Sequence, residues 1–308
     1  MLKFILRRLA TAPLVLLLLL AITFFMVRVA PGSPFSSEKG YPEEIVKRQR
    51  AYYHLDDPIP VQFAYYMGSV IRGDLGPSLK YKDLTVNEII AQSWKPSFVL
   101  GITAMALALF FGVIAGIVAG LKQNSAWDYS SMTAAMIGIT LPSFVVGPVL
   151  VVIFALELRW FNVSGWERGG FSKDIVLPAI TLALPYAARI ARLTRAGMLE
   201  VVNQDYIRTA RAKGLREHVV VVRHALRGAL LPVVSFLGPA VAFIITGSLV
   251  VETIFQVPGL GRQFITSALN RDYGLTQGLV VFVGVLLVLL NLAVDVAYGF
   301  LDPRIRYD

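Results

Sequence analysis

Six stretches of predominantly apolar residues constrain this chain more than any other feature of its sequence. A helix that crosses a membrane needs about 20 such residues, because each residue rises about 1.5 Å and the hydrocarbon core is about 30 Å thick. The stretches cover residues 9–30, 98–121, 129–156, 175–193, 229–253 and 278–301. A helix satisfies its backbone polar groups internally, as lipid requires. The sequence therefore predicts an all-α polytopic membrane protein with six transmembrane helices.

The composition agrees with a membrane protein and narrows its chemistry. Of the 308 residues, 56% are hydrophobic and only 16% are charged, which lies outside the usual balance of a soluble domain. The formal net charge of +9 is weak evidence for nucleic acid, because the basic residues lie largely at the ends of the apolar runs. The chain has no cysteine and therefore no thiolate metal ligand. We expect contact with membrane lipid, no nucleic acid and no metal.

The arrangement of cations predicts the orientation in the membrane. The first stretch is too long for a signal peptide, whose apolar part has about 7–15 residues, so it is predicted to stay as a helix. Six spans put both termini on one side, and the short loops of the other side hold few cations. The inner cations are Lys3, Arg7, Arg8, Lys122, the group from Arg189 to Arg227, Arg304 and Arg306. Both termini are therefore predicted to be cytosolic.

The segment between the first two spans, residues 31–95, is too polar to cross the membrane and too long for a simple connection. It is predicted to be extracytoplasmic, with short helices near residues 43–53 and 61–71. It could form a structured cap or a docking surface for an extracytoplasmic partner. The predicted parts of the chain are residues 1–30 (N-terminal tip and first helix), 31–95 (extracytoplasmic segment) and 96–308 (transmembrane domain with a cytosolic coupling region at 197–228).

The most distinctive cytosolic feature is the basic segment 205–214. If it is helical, Ile207, Ala210 and Gly214 fall on one stripe. Three cations flank that stripe, at Arg208, Arg211 and Lys213. A narrow apolar stripe with a charged rim, ending at glycine, is typical of a helix that docks in a partner's groove. Binding to anionic lipid headgroups is the alternative.

Two further patterns lie within the predicted spans. Arg189, Arg192 and Arg195 share one helix face, and we expect them to snorkel toward the interface, with a polar cavity as the alternative. Six prolines are predicted to bend or interrupt helices, at Pro142, Pro148, Pro178, Pro185, Pro232 and Pro239. Ordinary packing of membrane helices accommodates such residues. The functional interpretation is that Pro142 and the Gly238-Pro239 pair line or gate a translocation path.

The basic segment resembles a known motif. Arg208-Thr-Ala-Arg-Ala-Lys-Gly214, followed after nine residues by His224-Ala-Leu-Arg227, is similar to the coupling motif of ABC importer permeases. Its general form is Glu-Ala-Ala, three residues, Gly, nine residues, Ile-x-Leu-Pro. The glycine, the spacing and Ala210 match. Arg208, Thr209, His224 and Arg227 depart from the general form and resemble the variant found in peptide-importer permeases.

Other segments extend the resemblance along nearly the whole chain. They lie at residues 28–34, 53–58, 73–78, 245–254, 258–261 and 301–307. Together they resemble the first of the two permease subunits of dipeptide and oligopeptide ABC importers, and residues 76–83 are most similar to the oligopeptide branch. The resemblance implies the type I ABC importer permease fold and a place in the bacterial cytoplasmic membrane.

The resemblance also implies partners and a coupling site. A second homologous permease, two ABC ATPase subunits and an extracytoplasmic peptide-binding protein are expected. ATP and Mg²⁺ are expected on the ATPase subunits, with no cofactor bound by this chain and no enzymatic activity of its own. The residues implied for ATPase coupling are Ile207, Arg208, Thr209, Ala210, Arg211, Ala212, Lys213, Gly214, Leu215 and His224.

Several sequence observations bear on alternative functions. The phosphate-binding pattern Gly-x-x-x-x-Gly-Lys-Ser/Thr does not occur, which agrees with ATP hydrolysis by a partner. A related permease for nickel, glutathione or another small solute stays open. An ion-coupled secondary transporter would need intramembrane acids, and apart from Asp295 the central parts of the spans are poor in them. A membrane peptidase is not supported, because neither His-Glu-x-x-His nor Gly-x-Ser-x-Gly occurs.

Overall fold

The structure of the chain is a computed structural model, and it describes residues 2–29, 47, 50–52, 54–81, 83–167 and 172–301. Among these residues, five helices are long and apolar enough to cross a membrane, and a sixth crossing would be a pair of helices with a sharp bend between them. The five are Ala10–Val29, Val86–Leu121, Lys173–Val202, Leu231–Ile254 and Tyr273–Val294. Each of the six predicted stretches thus corresponds to one of these helices or to the bent pair.

We number the helices in chain order. They are α1 (Leu2–Val29), α2 (Ile59–Ile71), α3 (Val86–Leu121), α4 (Ala126–Thr140), α5 (Ser143–Leu150), α6 (Val176–Val202), α7 (Asp205–Ala212), α8 (Glu217–Val219), α9 (Leu226–Ala229), α10 (Leu231–Ile245), α11 (Leu249–Ile254), α12 (Leu260–Leu269) and α13 (Tyr273–Leu301). A π-helical turn, Val151–Glu157, follows α5, and another, Val220–Ala225, joins α8 to α9. A 3₁₀ turn, Lys173–Ile175, precedes α6.

The helix α3 begins well before the apolar run that predicted it. The Thr85 amide and hydroxyl both donate to the Glu88 carboxylate at 2.8 Å, and the Glu88 amide donates back to the Thr85 hydroxyl at 3.3 Å. This reciprocal arrangement is a capping box, which satisfies amides that a helix start leaves without partners. The boundary of α3 is therefore set by a local polar motif, and the expected start at residue 98 is corrected to Val86.

The third predicted span is two helices, α4 and α5, which meet at 106°. Leu141 is extended, with ψ 119°, and Pro142 then stands at the cap of α5. Proline has no amide hydrogen and disfavours helical conformation in the residue before it. The predicted span 129–156 corresponds to this bent pair, and the predicted interruption at Pro142 is confirmed. In contrast, α6 continues through Pro185 and α10 through Pro239.

The chain forms two compact units, Met1–Lys95 with Pro258–Asp308, and Pro96–Val257. In the first unit α1 packs against α13, and α2 confirms the short helix expected at 61–71. The other expected helix, at 43–53, lies mostly outside the described residues. The predicted division at residues 30 and 95 separates an extracytoplasmic segment from the membrane-spanning parts of the chain, and it stays a prediction.

A buried carboxylate organises part of the first unit. Asp272 is 1% exposed and accepts hydrogen bonds from the amides of Leu79 and Leu275 at 3.2 and 3.1 Å. The Lys80 amide at 3.3 Å and the Ser78 hydroxyl also donate to it. Because one carboxylate serves both segments, the loop after residue 76 is fixed to the start of α13.

In the second unit, a glycine stripe on α3 lets α6 approach closely. Gly112, Gly116 and Gly120 recur every four residues and lie on one face of α3. A Cβ atom built on Gly116 would lie 2.4 Å from the Thr194 Cβ atom, and one built on Gly120 would lie 2.5 Å from the Met198 Cβ atom. Small residues of this kind bring membrane helices into backbone contact.

We predict that Gly116→Ala destabilises the chain, because the new methyl group would overlap Thr194 and the Ala191 carbonyl. Overpacking of this kind costs about 1–3 kcal/mol. The measurement is the apparent midpoint of thermal unfolding in detergent-solubilised membranes. Gly68→Ala is the matched control, because its methyl group would meet only the Arg72 Nη2 atom, at 3.8 Å. Equal midpoints for both variants would contradict the close α3–α6 contact.

Candidate functional site

The segment predicted to couple to a partner is a short helix that ends in a defined turn. It is α7, Asp205–Ala212, followed by Gly214 at φ +75°. The Leu215 amide donates to the Ala210 carbonyl at 3.4 Å, and the Gly214 amide donates to the Arg211 carbonyl at 2.9 Å. These two bonds form a Schellman motif, in which a residue of left-handed conformation ends the helix. The helix and its terminal glycine are as the sequence predicted.

The apolar stripe of α7 lies against its own chain. Ile207 is fully buried and Ala210 is 6% exposed. Both belong to a cluster with residues of α6, of the second π turn and of α9. Its other members are Met198, Val201, Val220, Val221, Ala225 and Ala229. The idea that this stripe enters a partner's groove is therefore corrected, because burial within the chain already satisfies it.

The face of α7 that remains open is the opposite one. Arg208, Thr209, Ala212, Lys213 and Gly214 are exposed. At its two ends, Tyr206 and Leu215 are 49% and 40% exposed. A partner would therefore meet a polar and cationic surface with one apolar side chain at each end. Only Ile207 and Ala210 of the predicted coupling segment lie on the closed side.

An ion pair spans the turn at Gly214. The Arg211 guanidinium donates to the Glu217 carboxylate in a bidentate arrangement, with Nη2–Oε1 at 2.7 Å and Nε–Oε2 at 3.2 Å. The bond from Arg211 lowers the pKa of Glu217 and raises the pKa of Arg211. Because folding lowers the pKa of Glu217, the ion pair contributes its full stability at pH values above the pKa of this group in the unfolded chain. That stability is lost as the pH falls through the lowered pKa of the folded chain. Both side chains are largely exposed, so the pair mainly orients the turn.

His224, the last predicted coupling residue, lies in the π turn Val220–Ala225. It is half-buried and belongs to a turn whose neighbours, Val221 and Ala225, pack in the cluster beneath α7. Within the part of the chain that the structure describes, no three His, Asp or Glu side chains are placed to hold a metal ion.

An open cavity of about 490 Å³ lies beside α6 and α10. Its wall includes Ile139, Pro185, Tyr186, Arg189, Phe236 and Pro239. Both helices contribute a proline and an aromatic ring. Of the residues expected to line a translocation path, Pro239 lies in this wall, Gly238 is its chain neighbour, and Pro142 lies outside it.

The three arginines of α6 do not behave alike. Arg189 and Arg192 are both exposed, and Arg189 also lies in the cavity wall, with its guanidinium carbon 5.5 Å from the centre of the Phe236 ring. Arg195 binds Asp128 in a bidentate ion pair, with Nε–Oδ1 at 2.6 Å and Nη2–Oδ2 at 2.7 Å. The expectation of snorkelling is therefore corrected for Arg195, and for Arg189 and Arg192 it stays a prediction. No spacing signal connected Arg195 to an acid 67 positions away.

The Asp128 carboxylate also fixes the turn before α4. It is 2% exposed and accepts a hydrogen bond from the Asn124 amide at 3.0 Å. Asn124 has φ +61°, a conformation that asparagine tolerates better than most residues. The pair with Arg195 thus connects the α3–α4 turn to α6, on the same helix that carries the α7 cluster.

Sequence reasoning also missed a buried acid in the fifth span. Glu252 is fully buried, and it accepts hydrogen bonds from the Ser97 hydroxyl at 2.7 Å and the Ser248 amide at 3.2 Å. Glu252 stands at the end of the predicted span 229–253, outside the central parts that the sequence predicts to be poor in acids. In the sequence, Glu252 is distinguished only by its position within residues 245–254, one of the segments that resemble the permease family.

Comparison with known families defines the class of protein to which this fold and coupling segment belong. The chain matches the family model described as binding-protein-dependent transport system inner membrane component over residues 112–307, and the N-terminal model of the same system over residues 1–80. The chain therefore belongs to the family of inner membrane components of binding-protein-dependent transport systems. It is a multi-pass membrane permease.

Individual relatives match along the full length. The oligopeptide transport system permease protein OppB of Salmonella typhimurium (strain LT2) is 52% identical over 307 residues, which cover 100% of both chains. The Escherichia coli (strain K12) OppB gives the same identity and coverage. The dipeptide transport system permease protein DppB of Bacillus subtilis (strain 168) is 42% identical over 99% of this chain and 98% of its own.

Solved structures support the fold. An inward-facing MetNI methionine ABC transporter chain is similar with a TM-score of 0.58 at 14% identity, over 70% of this chain and 96% of that one. An amino acid ABC transporter crystallised with histidines gives a TM-score of 0.52 at 14% identity, over 71% of this chain and 95% of that one. The expected type I ABC importer permease fold is confirmed.

We predict that Arg195→Gln lowers stability by about 3 kcal/mol, because it leaves the buried Asp128 carboxylate without its cation. The double variant Asp128→Asn with Arg195→Gln removes both charges and is expected to recover part of the loss. Apparent unfolding midpoints in detergent report the effect. Arg192→Gln is the matched control, three residues away on an exposed side chain. A double variant less stable than Arg195→Gln would contradict a role for the pair.

Proposed function

We propose that this chain is one transmembrane permease subunit of an ATP-driven importer of peptides, in the bacterial cytoplasmic membrane. The observation that carries the proposal is the 52% identity with OppB proteins over the whole of both chains. Identity that extends over every span and loop favours the same transport class. The relatives are named for oligopeptide and dipeptide transport, which favours peptides over nickel or glutathione.

In the proposed assembly, the chain pairs with a second homologous permease and contributes half of the path. Two ABC ATPase subunits bind on the cytosolic side, where both termini lie, and an extracytoplasmic peptide-binding protein delivers substrate from the other side. The ATPase subunits hold ATP and Mg²⁺. This chain binds no cofactor and catalyses no reaction, and it changes shape when its partners do.

The ATPase contact is proposed at the open face of α7 and the turn after it. That surface offers the cations Arg208 and Lys213, with Tyr206 and Leu215 as apolar contacts at its ends. Because Ile207 and Ala210 attach α7 to the end of α6 through Met198 and Val201, a displacement of α7 by the ATPase would displace α6 with it. Coupling requires such a connection between the nucleotide-driven partner and the spans.

The second candidate function is ion-coupled transport. The observation that favours it is the complete burial of the Glu252 side chain. A buried acid in a span is often part of an ion path. Glu252, however, already accepts hydrogen bonds from Ser97 and Ser248. An energy-source experiment separates the two.

We predict that proteoliposomes holding the complete complex take up a labelled tripeptide only with ATP available to the ATPase subunits. Addition of a protonophore at constant ATP should leave the rate unchanged. Loss of uptake with the protonophore would favour ion coupling instead. Competition with unlabelled tripeptide, nickel or glutathione tests the substrate class, and inhibition by nickel or glutathione rather than by tripeptide would contradict a peptide permease.

We predict that Gly214→Val leaves the complex assembled but uncouples ATP hydrolysis from uptake. A Cβ atom at Gly214 would meet nothing within 4 Å, so the defect would arise from the left-handed backbone, which a β-branched residue adopts poorly. Such a conformation costs about 1–2 kcal/mol for an L-residue.

Gly214→Asn is the matched control, because asparagine tolerates this conformation. It should keep most of the uptake per ATP hydrolysed. If Gly214→Val transports peptide normally, the proposed role of the turn is wrong. If both variants are equally uncoupled, the glycine matters for close approach of a partner and not for its backbone conformation.

A further inference from the structure

Arg189 is an unusual cation because no acid among the described residues forms an ion pair with it. It lies within α6, among residues apolar enough to cross a membrane. Its contact with the Phe236 ring, at 5.5 Å, is a cation–π interaction, which leaves the positive charge in place. A charge at such a position normally faces a polar cavity or a partner group.

Four acids of the second unit already have other partners. Asp128 binds Arg195, Glu217 binds Arg211, and Glu252 accepts from Ser97 and Ser248. Asp174 accepts bonds from the side chains of Ser172 and Asn162. Because these four carboxylates are engaged elsewhere and no ion pair among the described residues includes Arg189, its donor groups can serve an anion that comes from outside the chain.

The surroundings of Arg189 are those of a ligand site. Tyr186 and Phe236, whose ring centres are 6.4 Å apart, stand beside it in the cavity wall, together with Pro185 and Pro239. The cavity of about 490 Å³ falls within the range of roughly 300–1,000 Å³ that small ligands occupy. A mainly apolar and aromatic wall with one charged group is typical of such sites.

We propose that Arg189 binds the C-terminal carboxylate of a peptide as it passes through the cavity. The inference rests on the proposed peptide-importer function. A guanidinium matches the planar geometry of a carboxylate and can donate two parallel hydrogen bonds to it. Every linear peptide has this group, whereas side chains differ from one peptide to the next. Recognition there would admit many sequences and would exclude solutes that lack the anion.

Charge and shape favour the peptide over the other anions within reach. A lipid phosphate requires only that the cation reach the interface, and it gives no role to the rings and prolines beside Arg189 in the cavity wall. An acidic side chain of the second permease would hold Arg189 permanently, and would make its loss equally harmful for every substrate. A carboxylate in transit makes a different prediction, because only substrates that carry the group should depend on Arg189.

The experiment compares two substrates in proteoliposomes that hold the complete complex. One is a tripeptide without acidic side chains, and the other is the same tripeptide with a C-terminal amide. The variants are Arg189→Gln, Arg189→Lys and, as matched control, Arg192→Gln. Each rate is divided by the wild-type rate for the same peptide, so that selection by the binding protein cancels.

We expect Arg189→Gln to reduce uptake of the free-acid peptide about tenfold, the effect of one charge-assisted interaction, and to leave uptake of the amide unchanged. Arg189→Lys, which keeps the charge, should retain an intermediate rate for the free acid. Arg192→Gln should affect neither peptide. Normal uptake of the amide by Arg189→Gln also demonstrates that this variant is folded and assembled.

Three results would overturn the inference. Equal losses for both peptides would assign Arg189 to assembly or to the second permease, and no loss for either would assign it to the lipid interface. If Arg189→Gln fails to assemble, the Arg189→Lys variant decides the question. Equal losses of uptake for the free acid and the amide in that variant would contradict binding of the C-terminal carboxylate by Arg189. Failure of the proposed function is visible separately, because the wild-type complex would then transport neither peptide.

Discussion

The close approach of α3 and α6 is the contact on which the second unit depends. The glycine face at residues 112, 116 and 120 brings the backbone of α3 against Thr194 and Met198. Without that face, side chains would separate the helices by the width of a methyl group or more. The position of α6 in turn decides where its other residues lie. Arg189 reaches the cavity, Arg195 reaches Asp128, and Met198 supports α7.

The helix α6 therefore joins three features that are distant in sequence. Its first half carries Pro185 and Arg189, which form part of the cavity wall. Its second half carries Arg195 and Val201, which hold the α3–α4 turn and the coupling segment. In the proposed importer, a partner that moves α7 acts on a rigid helix that also lines the cavity. The mechanical connection needs no long chain of intermediate contacts.

Most of the fold could be predicted from the sequence, because apolar length is a local property. The capping box at Thr85 and Glu88 and the glycine that ends α7 are local patterns as well. The direction in which the α7 stripe faces could not be predicted, since an apolar stripe fits a partner and its own core equally well. The pairing of Arg195 with Asp128 and the burial of Glu252 depend on contacts between distant segments. The hydrophobic periodicity of a sequence gives no information about such contacts.

The bend between α4 and α5 leaves a backbone group that the packing of the chain has to cover. Pro142 cannot donate to the carbonyl of Gly138, so an acceptor within a predicted span lacks its helical partner. Hydrocarbon does not tolerate such a group, and irregular backbone at membrane depth occurs only against protein or water. Gly138 is buried, and the Leu184 carbonyl and the Ala188 side chain of α6 lie beside it. The protein that covers this part of the bend is therefore α6, and a displacement of α6 would expose backbone that lipid cannot satisfy.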